Sequence, residues 1–135
     1  MLIHNQIRKE VIALIEERLP EVKGLHNGRV FFTDPKMQLP ALSVYIEGAE
    51  CEPVSIGHTH WESRLVIAIY IPFYSSEEKL DLLIEKIHNI ISKHTYKNID
   101  QVSPGYSFEY EYDFDNHVWL SGTLTYSIKY DFKEY

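Results

Sequence analysis

Apolar residues recur at helical spacing near the start of the chain. Ile7, Val11, Leu14, Ile15 and Leu19 share one face, while Arg8, Lys9, Glu16, Glu17 and Arg18 lie mostly on the other. That spacing predicts an amphipathic helix ending before Pro20, because proline disfavours helical geometry in the residue before it. Residues 21–27 read as a polar connection, and residues 29–33 as a short strand stopped by Asp34-Pro35. The period then changes to two. Leu42, Val44 and Ile46 point one way; Ser43, Tyr45 and Glu47 point the other. Residues 48–60, which hold Pro53 and Gly57, read as a long connection. A strand follows over residues 61–71, with Leu65, Ile67, Ile69 and Ile71 on one face. Val66 and Ala68 make its second face partly apolar, which predicts a central position, and Pro72 stops it. Ser75 and Glu78 have capping-box spacing at the start of a second helix, whose stripe is Leu80, Leu83, Ile84, Ile87 and Ile91.

The last third alternates most cleanly. Tyr106, Phe108, Tyr110, Tyr112 and Phe114 alternate with Ser107, Glu109, Glu111, Asp113 and Asp115. Val118, Leu120, Leu124, Tyr126, Ile128, Tyr130 and Phe132 alternate with Trp119, Ser121, Thr123, Thr125, Ser127, Lys129 and Asp131. Register decides the turn between them. A two-residue loop would put Asp113 on the same face as Val118. A three-residue loop, Asp115-Asn116-His117, pairs Tyr112 with Leu120 and Phe108 with Leu124, so both apolar faces coincide. The expected core includes Leu14, Ile15, Val44, Ile46, Ile67, Ile69, Leu83, Ile87, Leu124 and Ile128. These elements predict a single α+β domain over residues 1–135 in two layers. Its mixed or antiparallel sheet carries both helices on one face and ends in a C-terminal hairpin.

Charge narrows the function classes. Thirteen Lys and Arg against twenty Asp and Glu give a formal net charge of -7, which argues against a protein that grips nucleic acid phosphates. It does not exclude a protein past which DNA slides. Cys51 is the single cysteine, so no internal disulfide is possible. No apolar run reaches the ~18 residues of a membrane span. The start Met1-Leu2-Ile3-His4-Asn5 lacks the charged and apolar regions of a signal peptide, so the chain is expected to stay in the cytoplasm where it is made.

Candidate chemistry is sparse. His58-Thr59-His60 would put two imidazoles on one strand face, but no second ligand pair accompanies them, and a solvated loop is the stronger reading. His88 and His94 sit near the end of the second helix, where imidazole suits the negative end of the helix dipole. Glu50 and Glu52 flank Cys51 and disfavour a thiolate. No Gly-rich phosphate loop, nucleophile elbow or His-Glu-x-x-His pattern occurs. The chain is therefore expected to be no enzyme, with no catalytic residue, metal or cofactor. The one unusual constellation is Glu109, Glu111, Asp113 and Asp115 on one strand face, where like charges repel. A solvated outer face is the plain explanation; an acidic surface that repels DNA inside a channel is the sharper one.

Several segments together carry a resemblance. They are Leu39-Pro40-Ala41-Leu42-Ser43-Val44-Tyr45-Ile46-Glu47-Gly48-Ala49-Glu50, the Trp-led strand within residues 59–72, and Val118-Trp119-Leu120-Ser121 continuing through Leu124-Thr125-Tyr126-Ser127-Ile128-Lys129-Tyr130. With Gly105-Tyr106 and the acidic turn, they resemble the phage minor tail protein U family, the tail terminators of lambda-like siphophages. Length and element order agree over nearly the whole chain; His58 to His60 departs from the pattern.

The resemblance implies a homohexameric ring on the end of the tail tube in the virion, assembled in the host bacterial cytoplasm. Such a ring stops tube polymerisation and offers a surface for head joining. Its partners would be the tail tube protein and a head-completion or neck protein. DNA would pass through it without sequence-specific binding, and no membrane is involved. On this expectation Glu109, Glu111 and Asp113 lie at the channel. Glu50, Glu52, Val54, Ile56, His58 and His60 belong to a contact loop for a neighbour or the tube. The alternatives are another neck or tail-tube ring protein, and a small metal-dependent enzyme using His58, His60 and the acidic strand.

Overall fold

The computed structural model describes residues 2–29, 39–55 and 58–133. Helix α1 spans Leu2–Arg18 and buries Ile3, Ile7, Val11, Leu14 and Ile15, the expected stripe extended one turn towards the start. Strand β1, Gly24–Asn27, follows where the sequence reads as a polar connection. Its backbone overrides its polarity: Gly24 to Asn27 pair in parallel with Ala41 to Val44, and Leu25 packs against the core. The Pro40 carbonyl accepts from the Lys23 and Gly24 amides at 2.9 and 3.4 Å, fixing where the strand begins. Of the strand expected over residues 29–33, all but Arg29 lies outside the described residues.

Strands β2, Ala41–Ser55, and β3, His58–Pro72, replace the expected long connection with a continuous antiparallel hairpin. Gly48 and Pro53 punctuate the sequence as a loop would, but here they mark irregularities in a ladder. The register shifts between Glu47 and Glu50, around Gly48 at φ +57°, and again between Pro53 and Ser55. A bulge can take up a glycine at positive φ, as at Gly48, without ending the strand.

Helix α2 spans Glu77–Lys93. Its N-cap is Ser76, whose hydroxyl accepts from the Lys79 amide at 3.2 Å, rather than the expected Ser75 with Glu78. Leu80, Ile84, Ile87 and Ile91 are buried, and Leu83 is half-buried on the flank. Strand β4, Gln101–Tyr112, starts before the expected Tyr106. A register shift lies between Val102 and Tyr106, where Pro104 has no amide to give. There the Ser103 hydroxyl accepts from the Ser127 amide at 3.2 Å, in place of a ladder bond.

Strand β5, Trp119–Lys133, pairs with β4 in the expected register, Tyr112 opposite Leu120 and Phe108 opposite Leu124. The turn is longer than three residues, and Asp113 organises it. Its carbonyl accepts from His117 at 2.8 Å, and its carboxylate accepts from the Asn116 and Val118 amides at 3.2 and 3.1 Å.

The sheet order is β1-β2-β3-β5-β4, so β3 is central as its two apolar faces predict. Both helices cover the face carrying Leu42, Val44, Leu65, Ile67, Ile69, Leu120, Leu124 and Ile128. Of the ten expected core residues, eight are buried; Ile46 and Leu83 are half-buried at the margin. Gly122 lies directly under α2. A Cβ there would meet Ile84 Cδ1 at 2.5 Å and the Phe108 ring at 3.0 Å, so any larger residue has to push Ile84 and Phe108 aside.

Candidate assembly surfaces

The two helices dock on β5 through a device the sequence reading missed. Tyr126 and Tyr130 stand among the apolar positions of β5, and a buried phenol needs a partner. His88 on α2 meets the Tyr126 hydroxyl through Nδ1 at 2.8 Å, its ring stacked parallel to the phenol. His4 on α1 meets the Tyr130 hydroxyl through Nε2, and Tyr130 in turn donates to the Ser63 hydroxyl at 3.1 Å. The available signal was Tyr at two alternating core positions of one strand and one His on each helix. His88 thus serves packing rather than the helix dipole. His94 caps α2, with Nε2 3.6 Å from Glu10. That Glu10 carboxylate also accepts from the Lys97 and Asn98 amides at 2.8 and 3.0 Å, tying α1 to the chain leaving α2.

The sheet face turned away from the helices bears the acidic strand residues. Glu109 and Glu111 are exposed there, opposite Thr123 and Ser121 of β5. Across the same face stand Tyr70 and Tyr45, whose phenols burial pushes up, with the Glu111 charge adding to the shift. Arg29 lies 4.3 Å over the Tyr45 ring and pairs with Glu47 at 2.9 Å. Asp113 differs from Glu109 and Glu111: it is half-buried and committed to the turn. On the helix side of β4, the Tyr110 hydroxyl donates to Asp81 and the Tyr112 hydroxyl to Glu77. That bond to Asp81 is the main reason the Tyr110 phenol is pushed up to about 12.

The outer part of the β2–β3 hairpin, called the arm below, is three strands wide, because β5 stays paired with β3 as far as His58 opposite Lys133. Glu50 pairs with Glu62, Cys51 with Trp61 and Glu52 with His60. At its base lies a cleft of about 500 Å³, lined by Glu50, Glu52, Glu62, Asp100, Lys129 and Asp131, among others. His60 pairs through Nδ1 with the Asp131 carboxylate. Ile56 lies outside the described residues, and for Val54 and His58 only the backbone is described. The expected solvated loop at residues 58–60 is therefore strand. The metal-enzyme alternative loses its geometry as well. His60 pairs with Asp131, and Glu111 with Ser121, ten positions away along β5, or about 33 Å at strand rise. Among the described residues no three His, Cys, Asp or Glu gather where they could hold a metal ion. Among the described residues no helix is long and apolar enough to cross a membrane.

What the fold builds is a two-layer α+β domain with an acidic sheet face and, among the described residues, two sheet edges, β1 and β4. The chain belongs to the phage minor tail protein U family, whose model matches residues 2–130. It is 27% identical over 132 residues to the tail tube terminator protein of Escherichia phage lambda, covering 95% of this chain and 98% of that one. It is 24% identical over 130 residues to the tail tube terminator protein of Escherichia phage N15, with the same coverage of each chain.

Proposed function

We propose that this protein is a tail terminator that caps the tail tube as a ring of six, stops tube growth and offers the surface for head joining. The observation that carries this reading is alignment with two tail tube terminators over 95% of this chain and 98% of each relative, in one family from residue 2 to residue 130. The partners are further copies of the chain, the tube protein and a head-completion or neck protein, met at the tail end of the virion. No reaction or cofactor is needed for this work.

Glu109 and Glu111 face the channel, with Asp113 beside them holding the turn. DNA leaving through the ring carries one phosphate charge per ~1.7 Å of axis, and an acidic wall repels it where a basic wall would hold it. The open placement of Glu109 and Glu111 supports this role. The segment holding Glu50, Glu52, Val54, Ile56, His58 and His60 contacts a neighbour or the tube; the exposure of Glu50, Glu52 and His60 supports that contact.

The test is coassembly with polymerising tube protein. Tubes should stop growing and carry a ring at one end in electron micrographs. Extension of tubes by this chain would mark it as a tube subunit instead. Deleting residues 54–57 should leave a folded protein that no longer caps. Glu109→Lys with Glu111→Lys should still permit tails at high salt while slowing DNA ejection; ejection at the wild-type rate would remove the acidic-channel role.

A further inference from the structure

We propose that the ring closes edge to edge, with β4 of one copy adding antiparallel to β1 of the next, so that one sheet runs right round the ring. This rests on the ring reading above and names the seam within it.

Three observations lead to it. Among the described residues β1 and β4 are the two outer strands, with nothing paired beyond either. Their directions fit: β1 is parallel to β2, while β3, β5 and β4 each reverse the strand before. β4 therefore runs opposite to β1, and a second copy laid beside the first with the same face inward meets it antiparallel. A head-to-tail contact of two different edges is the kind that closes into a ring.

Along most of its length the β4 edge is guarded by negative charge alone, which turns away another β4 but not a basic partner. Proteins blunt an outer strand with charged side chains, Pro or a bulge. β4 places its Pro104 and its register shift at one end, before Tyr106. Residues 106–112 carry no Lys, Arg or Pro, and they expose Tyr106 and Tyr110. An open edge with exposed tyrosines suits strand addition by a partner.

Charge selects a second copy as that partner. The β4 edge carries Glu109 and Glu111, flanked by Glu77 and Asp81 of α2, which accept from the Tyr112 and Tyr110 hydroxyls; all four carboxylates are exposed. The β1 edge is the reverse. Residues 23–29 hold Lys23 and Arg29 and no carboxylate; both cations are exposed, and Arg29 is held on the edge by Glu47 of β2. Arg8 of α1 reaches the same edge and donates through Nε to the Asn27 side chain. Opposite charges across a seam steer the encounter and fix its orientation, while two β4 edges would repel each other.

The test uses capped tubes made from an equal mixture of unlabelled and 15N-labelled protein, treated with a carbodiimide that joins amines to carboxylates without a spacer. Links between light and heavy copies should join Lys23 to Asp81, Glu109 or Glu111. Charge reversal supplies a second readout. Glu109→Lys with Glu111→Lys, or Lys23→Glu with Arg29→Glu, should each cut ring yield at low salt by tenfold or more. Mixing the two variants should restore it, because alternating copies then match at every seam. Circular dichroism of each variant alone separates misfolding from lost contact. Caps whose cross-links join other surfaces, or variants that stay incompatible when mixed although each is folded, overturn the seam and leave the ring reading standing. Wild-type tubes that carry no ring overturn both.

Discussion

Two long hairpins lie in one sheet, and they differ in what holds them. The C-terminal hairpin of β4 and β5 lies under α2, with Leu120, Leu124 and Ile128 buried and Ile84 pressed onto Gly122. Its turn is locked by one side chain, Asp113. The hairpin of β2 and β3 starts equally well packed, with Val44 opposite Ile67. Beyond the bulge at Gly48 it becomes an arm whose pairs are Glu50 with Glu62 and Glu52 with His60. At its base Trp61 packs against the core cluster, with His4 of α1 edge-on against it. The difference teaches that strand pairing alone does not say what a hairpin is for. Apolar cover makes one a wall; the outer part of the other is held by strand pairing on both sides of β3 and carries charged residues.

The largest test of that contrast is in the wall. Ile87→Ala should destabilise the protein by ~2–5 kcal/mol in urea unfolding, because it empties a fully buried site between α2 and the sheet. Leu83→Ala, on the half-buried flank, should cost clearly less. Equal costs would show that the helix packs differently.

A middle-sized effect is expected at the turn. Asp113→Ala removes two amide acceptors and should cost about 1–3 kcal/mol, while Asp115→Ala, exposed next to it, should stay within about 0.5 kcal/mol. A turn that tolerates both equally would mean Asp113 is not its organiser.

The smallest effect lies at the foot of the arm. Burial, aided by nearby positive charge including Arg8, holds the His4 imidazole below its ordinary 6.5. Above pH 6.5 it is neutral in both folded and unfolded chains and adds no pH dependence. As pH falls below 6.5 the unfolded chain takes up the proton first, so stability drops until pH passes the lowered folded value. Urea midpoints at pH 7.5 and 5.0 should therefore differ more for the wild type than for His4→Gln. A variant with the same pH slope would remove His4 from the account.

Legibility in the sequence followed the same division. Where one face of an element is buried, period and identity agree. The stripes Ile7, Val11, Leu14 and Leu80, Ile84, Ile87 gave both helices, and the alternation around Leu120 and Leu124 gave the hairpin register to the residue. Where an element buries only one or two side chains, that constraint weakens. The arm read as a loop because Gly48 and Pro53 are turn residues in most settings, and β1 read as a connection because three of its four residues are Gly, His and Asn. The acidic row was visible as residues, but only the folded chain separates Asp113, spent on the turn, from Glu109 and Glu111, left on the open face.

By itself the sequence determined the elements with a buried face, the register of the last two strands and the family, because burying an apolar stripe admits one period and one phase. Tertiary structure alone decided the rest. It set β1 beside β2, carried the β2–β3 ladder past its bulge, and brought His4 and His88 to two phenols of β5. Those contacts are backbone pairings or polar bonds between residues far apart in the chain. Neither leaves a periodic mark, because a backbone amide pairs regardless of its side chain and a buried hydroxyl accepts any donor that reaches it.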